Sequence, residues 1–307
     1  MAENLQDLRR RIKSVTNTSK ITQAMKMVSA AKLSRCSTKL KRIRPMKEKI
    51  ESLMTRVSGK TGSATHTFLE ERQSGDTIIV AIASDKGLCG SFNTHIINKT
   101  KELFQNRKNA GENPSLIPIG NKIYRYFLKR DYTIDKFYGN MMTRLEYTDV
   151  KEFSAYLQEI YLDPVRNIRR IEFLYTQFIS SSQQKVAAAV LFPIKDPRHE
   201  VLAKEEAKPQ AVAQPTAAEE EVKFIFEPTA AEIFNALLPL YIDTIIYRIL
   251  LESAASEHAA RMIAMNMAAR NAEEMIGNLI LRLNKLRQAS ITRELLEIIT
   301  ATEALTK

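Results

Sequence analysis

The sequence predicts an α/β protein: a central Rossmann-like α/β domain flanked by N- and C-terminal long helices that form an antiparallel coiled coil. Three observations predict it. Apolar residues recur at alternating spacings of three and four at both ends of the chain, which is a heptad seam. The 9 glycines and 10 prolines in 307 residues are few, and most lie between those ends. The middle alternates strand-length apolar runs with helical stretches, the pattern of a sheet covered by helices on both faces. The expected domains are residues 1–60, 74–228 and 229–307.

The first long helix is expected over about residues 3–57. Leu5, Leu8, Ile12 and Val15 start the seam. It slips at Asn17-Thr18-Ser19 and resumes at Ile21, Met25 and Val28, with Ala24 and Ala31 on the same side. It runs on through Leu40, Ile43, Met46, Ile50, Leu53 and Val57. Pro45 should kink or split the helix, because it lacks the N–H for the ladder. Gly59 and Gly62 should end it.

Thr77–Ser84 is a continuous apolar run and reads as a buried parallel strand. A turn follows, Asp85-Lys86-Gly87-Leu88-Cys89-Gly90, then a helical stretch to about Arg107. Ser115–Ile119, Tyr132–Phe137, Ile171–Phe178 and Val186–Phe192 read as strands, and Lys122–Lys129 and Val150–Leu162 as helices. Residues 199–222 are rich in Ala, Glu, Lys, Pro and Gln, end in three glutamates, and are expected to form a flexible acidic surface loop. From about 230 to 304 the only breakers are Pro239 and Gly277. Ile276, Leu279, Leu283 and Leu286 form one seam; Ile291, Leu295, Ile298, Thr302 and Leu305 form another after a one-residue shift. The Ala/Met-rich stretch 254–275 between them lets another helix approach closely.

The formal charge is +11. Residues 1–60 hold 16 Lys/Arg against 4 Asp/Glu, and the rest of the chain holds 30 against 31. All of the excess therefore lies in the first helix, Arg9, Arg10 and Arg11 included. Such asymmetry suits an acidic partner, a nucleic acid or a membrane surface. No run of about 18 apolar residues occurs, so no direct transmembrane segment is expected. Two cysteines, Cys36 and Cys89, make neither a disulfide framework nor a complete zinc site.

Length carries a further expectation. At about 1.5 Å per residue, ~55 residues span about 80 Å and ~75 span about 110 Å. If both helices leave the domain at one level, the last ~20 residues overhang as a single helix. That tip still carries Ile291, Leu295, Ile298, Ile299 and Leu305. A lone helix with such a stripe is marginal and sticky in water, so another protein should cover it.

Motifs for chemistry are weak. The turn at 85–90 follows a strand and opens a helix, where doubly wound proteins bind phosphate. It lacks both G-x-G-x-x-G and the G-x-x-x-x-G-K-[ST] loop, so a tight turn is the expectation, with an α/β enzyme using Gly87 and Gly90 as a rival. Cys89 and the four histidines, His66, His95, His199 and His258, form no catalytic motif. Met262, Met265, Met267 and Met275, with Met25 and Met27 opposite, are expected to pack between the helices. Few aromatics interleave with the basic residues, so nucleic acid is not the expected partner.

Three stretches resemble the γ subunit of F-type ATP synthases. Ile21-Thr22-Gln23-Ala24-Met25-Lys26-Met27-Val28-Ser29-Ala30-Ala31-Lys32-Leu33 is similar to that family's N-terminal helix. Ser84-Asp85-Lys86-Gly87-Leu88-Cys89-Gly90-Ser91-Phe92-Asn93 is similar to its central strand–turn motif. Glu252 to Met262 and Arg287 to Leu295 are similar to its C-terminal helix. The resemblance spans the chain in order.

The resemblance implies a central rotor shaft that couples ion-driven c-ring rotation to ATP synthesis or hydrolysis at β-subunit sites, with no active site or cofactor of its own. The implied partners are the α and β subunits of the catalytic head, the ε subunit and the c-ring. It implies that Arg287 and Gln288 contact a β-subunit loop. Thr292 and Glu297 fall in the segment linked to coupling, and Met25 faces that region with Arg261 nearby. Lys26, Arg9, Arg10 and Arg11 are weaker candidates. The implied location is peripheral, on the cytoplasmic face of a bacterial inner (plasma) membrane. No transit peptide is read before Met1-Ala2-Glu3, and Cys36 and Cys89 lack the close spacing of the chloroplast form's regulatory pair. The alternative from composition alone is a basic coiled-coil protein that binds nucleic acid.

Overall fold

The computed structural model describes residues 5–58, 66–194 and 229–305. The 199–222 loop, His199, Gly59 and Gly62 lie outside the described residues. The first helix, α1, is Leu5–Ser58. The chain then forms β1 (Asp76–Ile82), α2 (Phe92–Asn109), β2 (Ser115–Ile119), α3 (Asn121–Phe127) and α4 (Tyr147–Leu162). It continues with β3 (Ile168–Phe178), β4 (Gln184–Phe192) and the 76-residue helix α5 (Ala230–Leu305).

Neither proline splits its helix: Pro45 lies within α1 and Pro239 within α5. Pro45 sits on the solvent side, where water can take the carbonyl that its missing N–H leaves free. Pro45→Ala is therefore expected to stabilise the chain by about 1–2 kcal/mol, the helical gain offset in part by a freer unfolded chain. A urea midpoint at or below that of the parent would contradict this.

The two long helices run antiparallel. Gln23 Nε2 donates to Glu273 Oε1 at 3.0 Å and Lys26 Nζ to Asn266 Oδ1 at 2.8 Å, while far along α1 the Tyr241 hydroxyl donates to Glu51 at 3.3 Å. The α1 seam does not slip at Asn17-Thr18-Ser19. It runs through Ser19, Thr22 and Ser29, all buried, while Ile21 and Val28 are exposed along with Ala24 and Ala31. Small hydroxyls fill the seam because α5 presents Met265, Ala269 and Ala272 there, and the backbones can approach. Thr22 and Ser29 satisfy their hydroxyls within α1, on the carbonyls of Ser19 and Met25. Large apolar groups resume lower down at Ile43, Ile50, Met54 and Val57.

The sheet order is β2-β1-β3-β4. β1 is parallel to both β2 and β3, and β4 closes the far side antiparallel to β3. β1 is buried on both faces, as its unbroken apolar run requires. On one face Ile79, Ala81 and Leu116 pack against Ile96 and Phe104 of α2 and Ile123 and Phe127 of α3. On the other, Ile78, Val80, Ile117 and Phe173 join Phe153 and Leu157 of α4 with Leu238, Ile242 and Ile246 of α5. The coil is thus rooted in the domain core.

Tyr132–Phe137 is not a strand. Ile134 and Tyr138 make single parallel bridges to Leu116 and Ile119, at the edge that Pro118 occupies. At Gly120, φ is +102°, and a Cβ would lie 2.2 Å from the Ala83 carbonyl oxygen, so only glycine fits this crossing from β2 to α3. One window of α5 is long and apolar enough to cross a membrane, yet half of it is buried inside the fold, as in the core helix of a packed domain.

Candidate partner-binding surface

Burial falls along α5 from its root to its end. Through Leu279, Leu283 and Leu286 one side still turns toward α1. From Ile291 to Thr302 every residue is exposed. Leu295, Ile298 and Ile299 are 55%, 61% and 54% exposed, and Ile291 and Leu296 join them. The cause is the length mismatch: the pairing of Gln23 with Glu273 and Lys26 with Asn266 brings the start of α1 opposite about residue 290. Beyond it the second heptad register has no partner among the described residues.

Below the tip, the coil also carries apolar groups on its outside. Ile21, Met27 and Val28 on α1 are exposed, as are Met267, Met275, Ile280 and Leu281 on α5. The methionines thus divide. Met265 is buried, Met25 and Met262 are half-buried, and Met27, Met267 and Met275 point out. The expectation that all six pack between the helices is corrected here. The heptad rows pass through the small residues, which turns the longer methionines to the flanks. Basic groups share this outer surface: Arg9, Arg10 and Arg11 are exposed, with Arg10 3.6 Å from Asp7.

Arg287, Gln288, Thr292 and Glu297 are spread over about 15 Å at the start of the tip, all exposed. The Thr292 hydroxyl donates back to the Gln288 carbonyl at 2.9 Å. Met25 and Lys26 lie farther down, opposite residues 266–273 of α5. Arg261 is not beside Met25 and does not face outward. It is only 8% exposed, and its guanidinium serves its own chain: Nη1 is 2.8 Å from Glu257 Oε1, while Nε and Nη2 donate to the Gly87 and Lys86 carbonyls at 3.2 Å each. The i, i+4 spacing of Glu257 and Arg261 and the turn at 85–90 are each legible in the sequence; their meeting is not.

That turn is sealed by its own groups. Ser84 Oγ lies 2.6 Å from the Lys86 carbonyl oxygen and 2.8 Å from Asn93 Oδ1, and Asn93 Nδ2 donates to Cys89 Sγ at 3.2 Å. Asp85 accepts from the Asn121 and Asn140 amides and from the Thr143 hydroxyl, tying the turn to the far loop. Gly90, at φ +59°, lets the chain enter α2. Burial pushes the Cys89 thiol above its ordinary range, against the pull of Ser84 and Arg261, which suits a packed thiol and not a nucleophile. Among the described residues no three His, Cys, Asp or Glu side chains converge as a metal site.

His258 sits beside Arg261, with Nδ1 3.4 Å from Nη1. Burial, then the charges of Arg261 and Lys32, push its pKa down to about 4. Glu257 moves the opposite way: its burial raises the carboxyl pKa, and Arg261 resists that rise.

The protein family described as ATP synthase matches residues 4–305. The ATP synthase gamma chain of Pelotomaculum thermopropionicum is 37% identical over 303 residues, covering 98% of this chain and 99% of its own. That of Desulforamulus reducens is 36% identical over 299 residues, covering 97% and 98%. In fold, the chain is similar to one from the Euglena gracilis mitochondrial ATP synthase solved as OSCP/F1/c-ring in rotational state 3. There the TM-score is 0.62 at 20% identity, over 98% of this chain and 94% of the other. A chain of the Tetrahymena thermophila mitochondrial ATP synthase central stalk and c-ring gives 0.54 at 24%, over 81% and 99%. With the matches spanning its coil, its α/β domain and its overhanging tip alike, this chain belongs to the ATP synthase gamma-chain family.

Proposed function

We propose that the chain is the central shaft of a rotary ATP synthase, turning inside a head of α and β subunits and carrying no active site of its own. The observation that carries this reading is the tip: a bare helix with an apolar stripe, rising beyond a coil that is rooted in a folded domain. An apolar surface without deep pockets can be enclosed by a sleeve and still turn, because it makes no interlocking contact. The exposed cations along α1 suit acidic loops on the head. Solvated ion pairs worth about 0–1 kcal/mol each break readily as the shaft advances.

In this reading the α/β domain meets the ε subunit and the c-ring, and the assembly is peripheral at the cytoplasmic face of a bacterial membrane. Arg287 and Gln288 reach a β-subunit loop, and Thr292 and Glu297 extend the same contact. Met25 and Lys26 meet the head lower on the coil, and Arg9, Arg10 and Arg11 add diffuse attraction. Family membership favours the shaft over the nucleic-acid alternative.

The test is ATP hydrolysis by purified α and β subunits from the same source, with and without this chain. A stable complex and a clear gain in turnover are expected. Arg287→Gln and Gln288→Leu should each weaken the complex by about tenfold, the scale of one lost charge-assisted or buried hydrogen bond. Folded α and β that neither assemble with the chain nor gain activity would exclude the shaft.

A further inference from the structure

A shaft is useful only if the torque loaded on one part reaches the other. The α/β domain and the coil are joined by apolar packing, which resists separation but has no preferred direction of slip. Among the described residues few directional bonds cross this joint, and two side chains within one short stretch of α5 make three of them. The Ser256 hydroxyl, fully buried, donates to the Thr176 carbonyl at the end of β3 at 3.0 Å. Arg261, five residues on, donates to the carbonyls of Lys86 and Gly87 in the β1–α2 turn. At about 100° per residue, these two anchors leave α5 some 140° apart around its axis. One anchor would let the helix pivot. Two on different sides, attached to two different segments of the domain, oppose rotation of α5 about its own axis in either sense.

We propose that Arg261 is a positioning residue that locks the coil to the α/β domain against twist, with Glu257 holding its guanidinium in line. This rests on the shaft reading and deepens it, because it names where torque crosses from the domain to the coil. The planar fork is what the site uses. Nε and Nη2 reach two successive carbonyls while Nη1 faces the carboxylate, and a lysine ammonium cannot meet all three from one position. The acceptors are backbone atoms, so the lock depends on the turn's shape, which Asp85 and Asn93 maintain from the other side. A contiguous chain of polar contacts then runs from α5 through the turn to the Asn140–Thr143 loop, a physical path for load.

The test uses the whole complex reconstituted in vesicles and reads the ratio of ATP-driven ion uptake to ATP hydrolysed. Arg261→Lys keeps the charge beside Glu257, so the chain should fold; Arg261→Gln paired with Glu257→Gln is the neutral alternative. Either should lower the ratio by about fivefold, the lower end of ordinary coupling energies. A covalent substitute for the lock is available. A Cβ at Gly90 would lie 3.9 Å from the Ala264 Cβ, close to the ~3.8 Å of disulfides. Because the φ of +59° there strains any residue but glycine, the same cysteine pair with Arg261 intact serves as the reference and must keep the parent ratio. Gly90→Cys with Ala264→Cys, added to Arg261→Lys, should restore the ratio when oxidised and lose it when reduced, with mass spectrometry verifying that pairing and not one through Cys89. An unchanged ratio in the Arg261 variants overturns the proposal. So does a fall that the oxidised bridge fails to restore, since Arg261 would then act on another subunit. A parent chain that never stimulates the head would instead overturn the shaft reading, which keeps the two failures distinct.

Discussion

Leu295→Glu combined with Ile299→Glu is expected to abolish productive assembly with the catalytic head while leaving the isolated chain as stable as its parent. Both residues are more than half exposed and belong to the part of α5 that α1 does not reach. Exposed helical substitutions of this kind change folding stability by about 0.5 kcal/mol or less. In an apolar sleeve each side chain would contribute about 1.5 kcal/mol or more, and each new carboxylate would be buried without a partner. Together the pair should weaken assembly by at least about a hundredfold. Titration of the head with the double variant, followed by size-exclusion chromatography and turnover, reads this directly. Wild-type assembly by the variant would mean that the tip stays in water, and the argument from the overhang would collapse.

The second large effect is on stability and comes from His258. Its pKa is pushed from the ordinary 6.5 down to about 4 in the fold. The unfolded chain therefore binds the proton first as pH falls. The stability that comes from holding His258 neutral is fully present above pH 6.5 and is lost progressively between 6.5 and about 4. The shift corresponds to about 3 kcal/mol. Glu252 and Glu257, whose carboxyls are raised by burial, contribute with the opposite sign and gain as pH falls. The raw pH profile is thus a sum, and the difference between the parent chain and His258→Gln isolates the histidine. Urea unfolding of both at pH 7 and pH 4 should show the parent losing about 3 kcal/mol more than the variant. Parallel profiles would show that the histidine can be charged in place.

Both predictions depend on features of unequal visibility in the sequence. The tip was legible because it follows from lengths and heptads: α5 is 76 residues and α1 is 54, and no fold of two antiparallel helices rooted at one level hides that difference. The central strands were legible because an unbroken apolar run such as Ile78–Ala83 has few alternatives to a doubly covered sheet. The His258 environment was not legible. Its charged neighbours come from separate places, Lys32 on α1 and Arg261, which is held by a turn more than 170 residues away in the chain, and no local pattern encodes that meeting.

What the sequence determined by itself was therefore whatever depends on period, length and composition: two long helices, a sheet between them, a basic first helix and an unpartnered apolar end. Tertiary structure decided which face of each helix was used. Apolar periodicity alone breaks the seam of α1 near Ser19 and continues it through Ile21 and Val28. Packing chose Ser19, Thr22 and Ser29 instead, because the opposing alanines of α5 let the backbones close in and leave little room for large apolar side chains. The same selection turned Met27, Met267 and Met275 outward and folded Arg261 inward onto the turn. A hydrophobicity pattern records what each residue would gain by burial. Which residues are buried depends on the shape of the surface that meets them, and that surface belongs to a distant part of the chain.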